Sequence, residues 1–153
     1  MSARNLQVVL ASRPAGRAAE SDFRFVEAPV PQPREGELLV RVDWLSLDPY
    51  MRGRMNEGKS YAARVELGEV MVGGTVGTVI ASRHGRFAEG DKVLGTLGWQ
   101  RYAVSDGKGL VKLPDPRLPE TVWLGAAGMP GITAWMGLTQ IGTPAPGETV
   151  VVS

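Results

Sequence analysis

Apolar positions in this chain fall in short runs of aliphatic and β-branched residues, separated by glycines, prolines and charged turns. That is the rhythm of strands rather than of long helices. Residues 5–10 and 23–27 are the first two predicted strands, and the second alternates apolar and polar side chains as a half-buried strand does. Residues 29–33 carry three prolines and should cross in extended form between strands, because proline cannot donate to a ladder. The clearest predicted strand covers 38–47. Residues 70–80 are β-branched but interrupted by Gly73, Gly74 and Gly77, which predicts a bent, bulged strand of the kind small barrels need. Residues 93–97 and 100–104 are the next strands. The predicted fold class is mainly β with short helices, curled into a compact barrel.

Three segments depart from this rhythm. At 48–53, Asp48 reads as an N-cap and Pro49 as the first residue of a short helical turn, which presents Tyr50 at a strand-to-turn edge. The polar stretch that follows, to Leu67, has the composition of a loop over a site or simply of an exposed loop. Beyond Pro116, residues 119–124 predict a helical turn. Residues 131–140 place Ile132, Trp135, Met136 and Leu138 at three- and four-residue spacings that fit a buried helix. Residues 149–153 form a continuous apolar run of the type found in buried parallel strands. A strand with no crossover after it cannot close a βαβ unit, so the reading expects a chain truncated at the first strand of a second domain. The expected boundaries are 1–127 for the first domain, and 128–153 for a linking helix and that strand.

Composition narrows the chemistry. Seventeen basic against sixteen acidic residues, with no long run of either sign, provide no field for a nucleic acid. No segment approaches a bilayer span or a signal peptide, so the expectation is a cytoplasmic protein without a membrane partner. The absence of cysteine removes disulfides, thiolate zinc sites and cysteine nucleophiles. The single histidine, His84, lies in a polar loop and reads as solvated surface, and no carboxylates cluster at ligand spacing, so no metal is expected. Twenty glycines and eleven prolines, dispersed between apolar runs, indicate many turns rather than a disordered linker.

Three segments carry a resemblance. They are Leu45-Ser46-Leu47-Asp48-Pro49-Tyr50-Met51-Arg52-Gly53-Arg54-Met55, the stretch from Gly68-Glu69-Val70-Met71 through Gly77-Thr78-Val79, and Gly128-Met129-Pro130-Gly131-Ile132-Thr133-Ala134. In this order and spacing they resemble the zinc-independent branch of the medium-chain dehydrogenase/reductase superfamily. Within it they match the prostaglandin reductase, leukotriene B4 12-hydroxydehydrogenase and curcumin reductase group. The resemblance implies a GroES-like barrel, followed in the full-length protein by a Rossmann domain that binds NADPH. No glycine-rich phosphate turn follows a strand in this chain, so the fragment alone is expected to be inactive. Zinc-dependent relatives have a cysteine after the strand corresponding to 38–47 and a Gly-His-Glu near Gly68-Glu69; this chain has neither.

The reaction so implied is hydride transfer from NADPH to the β-carbon of an α,β-unsaturated ketone or aldehyde. The resulting enolate oxygen requires an O–H donor where a metal relative would use zinc. Tyr50 is the first candidate donor and Tyr61 the second; the alternatives are a packing tyrosine at 50 and an exposed loop aromatic at 61. Met129, Gly131 and Thr133 match the family segment that approaches the nicotinamide carboxamide. Thr133 could equally bond its own helix carbonyl, and Met129 could equally be core. Arg52 and Arg54 could clamp phosphate or pair with barrel carboxylates and are not counted among the site residues. The remaining readings are a noncatalytic GroES-like binding module and a quinone oxidoreductase of the same branch. A homodimer is expected for the full-length protein. Trp123, Trp135 and Met136, near the expected junction, should leave an exposed apolar patch.

Overall fold

The computed structural model describes residues 3–58, 62–115 and 117–152. Tyr61, the second candidate donor, lies outside them. Among the described residues there are seven strands: β1 (Arg4–Leu10), β2 (Phe23–Pro29), β3 (Leu38–Leu45), β4 (Thr75–Ser82), β5 (Lys92–Gly95), β6 (Tyr102–Ser105) and β7 (Val111–Lys112). Two short α-helices accompany them, α1 (Tyr50–Arg54) and α2 (Met129–Met136). The architecture is mainly β with short helices, as the sequence predicts.

β1 and β2 form an antiparallel hairpin, and the other five strands form one antiparallel sheet in the order β6-β3-β4-β5-β7. The hairpin is joined to the sheet through backbone and side chain. Val8 N–H donates to Trp99 O at 2.8 Å and Arg101 N–H to Leu6 O at 3.0 Å. Buried Asn5 donates to Tyr102 O and accepts from Tyr102 N–H, both at 2.9 Å, so its carboxamide acts as one more peptide in the ladder. Two apolar clusters fill the interior. Leu38, Val40, Val79, Phe87, Val93 and Leu110 pack under the sheet. Leu10, Met55, Val65 and Met71 pack between hairpin and loop, with Phe23 stacked on Trp99 at 5.5 Å.

Bulges are present, but not at the glycines. Leu39 and Val40 oppose Ala81 and Val79, while Val42 and Trp44 oppose Gly77 and Val76, so Ile80 and Asp43 are the extra residues. Gly73 and Gly74 precede β4 rather than lying within it. Gly77 serves a different need: a β-carbon there would lie 2.4 Å from Arg41 O and 2.7 Å from Val40 Cγ1. The strands approach too closely at this point for a side chain. β7 has only two exposed residues and no pattern from which to predict it.

The Asp43 carboxylate accepts from Arg41 Nε at 2.7 Å, from Thr78 Oγ1, and from Lys92 Nζ at 3.3 Å. Partial burial works against its charge, yet these three donors outweigh that and hold its pKa below the ordinary aspartate value. The folded protein therefore binds this proton more weakly than the unfolded chain does. The stabilisation is present above the unfolded aspartate pKa, about 4, and is lost as the pH falls through the depressed folded value. Asp43→Asn should flatten the acid side of the Tm profile between about pH 5 and pH 2, checked by thermal unfolding across that range.

The C-terminal part corrects two expectations. The helix over 131–140 is present as α2, continued by a wider π-type turn over Gly137–Gly142, but it is not buried. Ile132, Trp135, Met136 and Leu138 are exposed, Trp135 at 62%. Apolar periodicity marks a face that needs a cover; here the described residues place nothing over it. Residues 149–152 form no strand, and Val151 and Val152 are 85% and 90% exposed, because no neighbouring strand pairs with them. His84 is also less simple than solvated surface. Its Nδ1 accepts from Arg86 N–H at 3.0 Å and its ring lies against Phe87, so it closes its own loop.

A candidate active-site cleft beside the first helix

Where β3 ends, Ser46 N–H donates to Gly74 O at 2.9 Å, keeping the chain against the start of β4. The turn into α1 differs from the predicted cap. Pro49 is itself the N-cap, the helix begins at Tyr50, and Asp48 contributes its backbone carbonyl to Met51 N–H at 3.1 Å rather than its carboxylate. Proline with φ −55° already has helical geometry, so no side-chain cap is needed to start this single turn. Met51 is buried, and the space a β-carbon at Gly73 would take is filled by Leu45, Met51 and Trp99 side chains. That anchor fixes the orientation of α1, and Tyr50 and Arg54, four residues apart, share its other face.

This face opens on a cleft of about 500 Å³. Its walls come from five places in the chain: Ser46 and Asp48 after β3; Tyr50 and Arg54 on α1; Val72 and Gly74 before β4; Leu94, Gly95 and Thr96 at the end of β5; and Trp123, Leu124, Met129 and Pro130 from the region of the second helix. Ala62 and Gly109 complete the lining, which is predominantly apolar. Buried Thr75 braces the floor, donating to Gly95 O at 3.1 Å and accepting from Leu97 N–H at 3.3 Å. The 3₁₀ turn Glu120–Leu124, which carries Trp123 and Leu124, is held down by Glu120. Its carboxylate meets Lys92 Nζ at 2.7 Å and accepts from Trp44 Nε1 at 3.1 Å. Partial burial disfavours the Lys92 charge, but Glu120 and Asp43 more than offset this and raise its pKa.

The structure thus brings Tyr50 and Met129 into one cleft although 79 residues separate them in sequence. Met129 is 68% exposed, so it is not core. Gly131 and Thr133 do not line the cleft. A β-carbon at Gly131 would lie 1.8 Å from Ala126 O, and one at Gly128 2.0 Å from Trp123 O. These glycines let the α2 start pack against the preceding turn. Thr133 Oγ1 donates to Met129 O at 2.7 Å, the local alternative considered above, which leaves its lone pairs as acceptors.

The two arginines part company. Arg52 donates to Gly16 O at 2.8 and 2.6 Å, to Pro14 O at 2.9 Å and to Asn56 at 2.6 Å, fastening the 14–16 loop to α1. Its partners are carbonyl oxygens, neither the phosphate nor the barrel carboxylates that the sequence reading left open. Arg54 lines the cleft, and its Nε and Nη1 are buried without an acceptor; so is Trp123 Nε1 on another wall. Sequence reading weighs Arg54 without counting it and takes Trp123 only as part of an apolar patch, so it misses this pair of donors. The four-residue spacing of Tyr50 and Arg54 was the one available signal, whereas Trp123 arrives by a long-range contact that leaves no local pattern. Among the described residues no three His, Cys, Asp or Glu side chains gather as a metal site, and no helix is long and apolar enough to cross a membrane.

Comparison with known proteins gives this cleft its context. The family described as the N-terminal domain of oxidoreductase matches residues 6–113. The chain belongs to that family, and within it to the zinc-independent medium-chain dehydrogenase/reductase branch that contains the curcumin and prostaglandin reductases. It is 53% identical over 152 residues to the NADPH-dependent curcumin reductase of Escherichia coli (strain K12), covering 98% of this chain and 44% of that protein. It is 38% identical over 141 residues to prostaglandin reductase 1 of Mus musculus, covering 90% of this chain and 41% of that one. The crystal structure of CurA from Vibrio vulnificus in complex with NADPH superposes with a TM-score of 0.85 at 52% identity, over 94% of this chain and 42% of that one. The chain therefore spans less than half the length of the relatives it matches.

Proposed function

We propose that the cleft is the substrate side of an NADPH-dependent reductase that saturates the C=C bond of α,β-unsaturated ketones and aldehydes. The observation that carries this reading is that Tyr50 and Met129 line one predominantly apolar cleft, supported by the names of the relatives, curcumin, prostaglandin and 2-alkenal reductases. Residues 1–127 would be the catalytic domain. Residues 128–153 would lead, through α2, into the domain that holds most of the cofactor, whose cover the exposed apolar face of α2 invites.

NADPH supplies a hydride to the β-carbon when bound. Exposed Met129 and the free lone pairs of Thr133 suit contact with a flat nicotinamide and its carboxamide. The glycines that open α2 are occupied by backbone packing and form no cradle for a pyrophosphate. What this chain does is orient and stabilise the substrate. Apolar Val72, Leu94 and Leu124 bind the alkene and exclude water. The Tyr50 hydroxyl donates to the carbonyl oxygen as it gains enolate charge. Protonation of the α-carbon completes the reduction.

A chain extended to the length of its relatives should oxidise NADPH in the presence of small enones and yield the saturated ketone, at a rate unaffected by chelators. An inert enzyme across alkenals, enones and quinones would overturn the reading.

A further inference from the structure

We infer that Glu120 is a positioning residue of the proposed reductase: its carboxylate ties the segment that carries α2 to the barrel and so sets the gap between Tyr50 and Met129 across the cleft. The inference rests on the ene-reductase reading above and adds what holds the two walls of the cleft in register.

Polar bonds between the barrel and the C-terminal segment converge on one side chain. Among the described residues, each hydrogen bond and ion pair that joins residues 114–152 to residues 3–112 ends on Glu120. Its Oε1 meets Lys92 Nζ at 2.7 Å, and its Oε2 accepts from Trp44 Nε1 at 3.1 Å. Leu124 also lies near Gly74, an apolar contact that fixes no direction.

The barrel side is shaped to receive this carboxylate. Asp43 and Trp44 are consecutive in β3, and a regular strand would send their side chains to opposite faces. Asp43 is the extra residue of a bulge, and both side chains reach the Lys92–Glu120 pair, Asp43 through Lys92 Nζ at 3.3 Å. Arg41 and Thr78 hold Asp43 in turn, so Lys92 meets Glu120 from a fixed point.

On the other side, the position of Glu120 is passed on to α2. Val122 O accepts from Gly125 N–H at 3.1 Å and Ala127 N–H at 3.0 Å, and Gly125 O accepts from Gly128 N–H at 3.0 Å and Gly131 N–H at 3.2 Å. Backbone contacts at Gly128 and Gly131 leave no room even for a β-carbon. The 3₁₀ turn and the start of α2 therefore form one hydrogen-bonded unit, which brings Trp123, Leu124, Met129 and Pro130 to the cleft. Tyr50 stands on the opposite wall, anchored to the barrel through buried Met51. A misplacement of about 1 Å between reacting groups can slow a reaction on the order of a hundredfold, so the tie matters to rate more than to stability.

The test uses Glu120→Ala and Glu120→Gln in the full-length enzyme, with NADPH and a small neutral enone. A part-exposed ion pair adds little stability, so the Tm of Glu120→Ala should stay within about 4 °C of the parent. Its kcat should fall at least about tenfold while KM changes less than about threefold. Glu120→Gln keeps an oxygen for one of the two donors and should lie between; it is read by the same measures if Glu120→Ala does not fold. Amide hydrogen exchange over residues 122–134 should quicken at least about tenfold in Glu120→Ala, with β3 and β4 unchanged. A parent-like kcat, or parent-like exchange over 122–134, overturns the proposal. If the parent reduces no enone, the ene-reductase reading fails and exchange alone decides on Glu120: quickened exchange supports the tie, and unchanged exchange overturns it.

Discussion

Tyr50→Phe in the full-length reductase is expected to lower kcat on the order of a hundredfold, the usual cost of removing one preorganised donor from a developing oxyanion. KM and cofactor affinity should change little, because the hydroxyl matters most once charge has moved onto the oxygen. The aromatic ring remains, so the half-buried packing of α1 against the cleft is kept. Steady-state kinetics with a neutral enone, beside NADPH binding by fluorescence, separate the two effects. An unchanged kcat would remove Tyr50 from the chemistry and leave it as a packing residue.

The second large effect concerns folding. Gly77→Ala forces a β-carbon to within 2.4 Å of the Arg41 carbonyl, against backbone that sits in the middle of the central strand pair and cannot yield as a side-chain tip could. Overpacking of this kind should cost about 2–3 kcal/mol. In a domain of this size that lowers Tm by roughly 6–10 °C. Gly53→Ala provides the contrast. Its site on α1 is open, with nothing within 4 Å of the added carbon, so helix propensity should make it neutral or stabilising. Thermal unfolding followed by circular dichroism reads both, and a Gly77→Ala chain as stable as the parent would contradict the close approach of β3 and β4.

Much of the barrel is legible in the sequence because a strand's pattern is local. Residues 5–10, 23–27 and 38–47 alternate or run apolar in a way only paired, half-buried backbone explains, and they became β1, β2 and β3 within a few residues. The failures share one cause, the dependence of a residue's role on partners distant in sequence. Three glycines in one stretch look like bulges, yet the bulged positions are Asp43 and Ile80, fixed by how β3 and β4 lie across one another. The apolar stripe of α2 correctly reports a face that seeks burial, but a stripe carries no information about what covers it. The run at 149–152 is the same problem in a strand: β-branched residues favour extended pairing only when a neighbouring edge is present.

The site divides along the same line. Tyr50 was found through the motif around it, and Met129 through the motif that opens α2; the fold adds that they face one cleft. Arg54 lies within the first motif and is weighed there as a phosphate clamp or a partner of barrel carboxylates, but not counted among the site residues, because charge at a turn usually means solvent or an ion pair. Only the structure shows that neither is available to its buried nitrogens. The Asp43–Lys92–Glu120 chain was equally hidden, since its members come from β3, β5 and the 3₁₀ turn and meet only in the folded state.

The cleft's proposed role stands or falls on where the hydride goes. NADPH deuterated at C4 of the nicotinamide, supplied to the full-length enzyme with a simple acyclic enone, should give the saturated ketone with deuterium on the β-carbon and a solvent-derived hydrogen on the α-carbon. Deuterium on the carbonyl carbon of an allylic alcohol, with the C=C bond intact, would contradict the account.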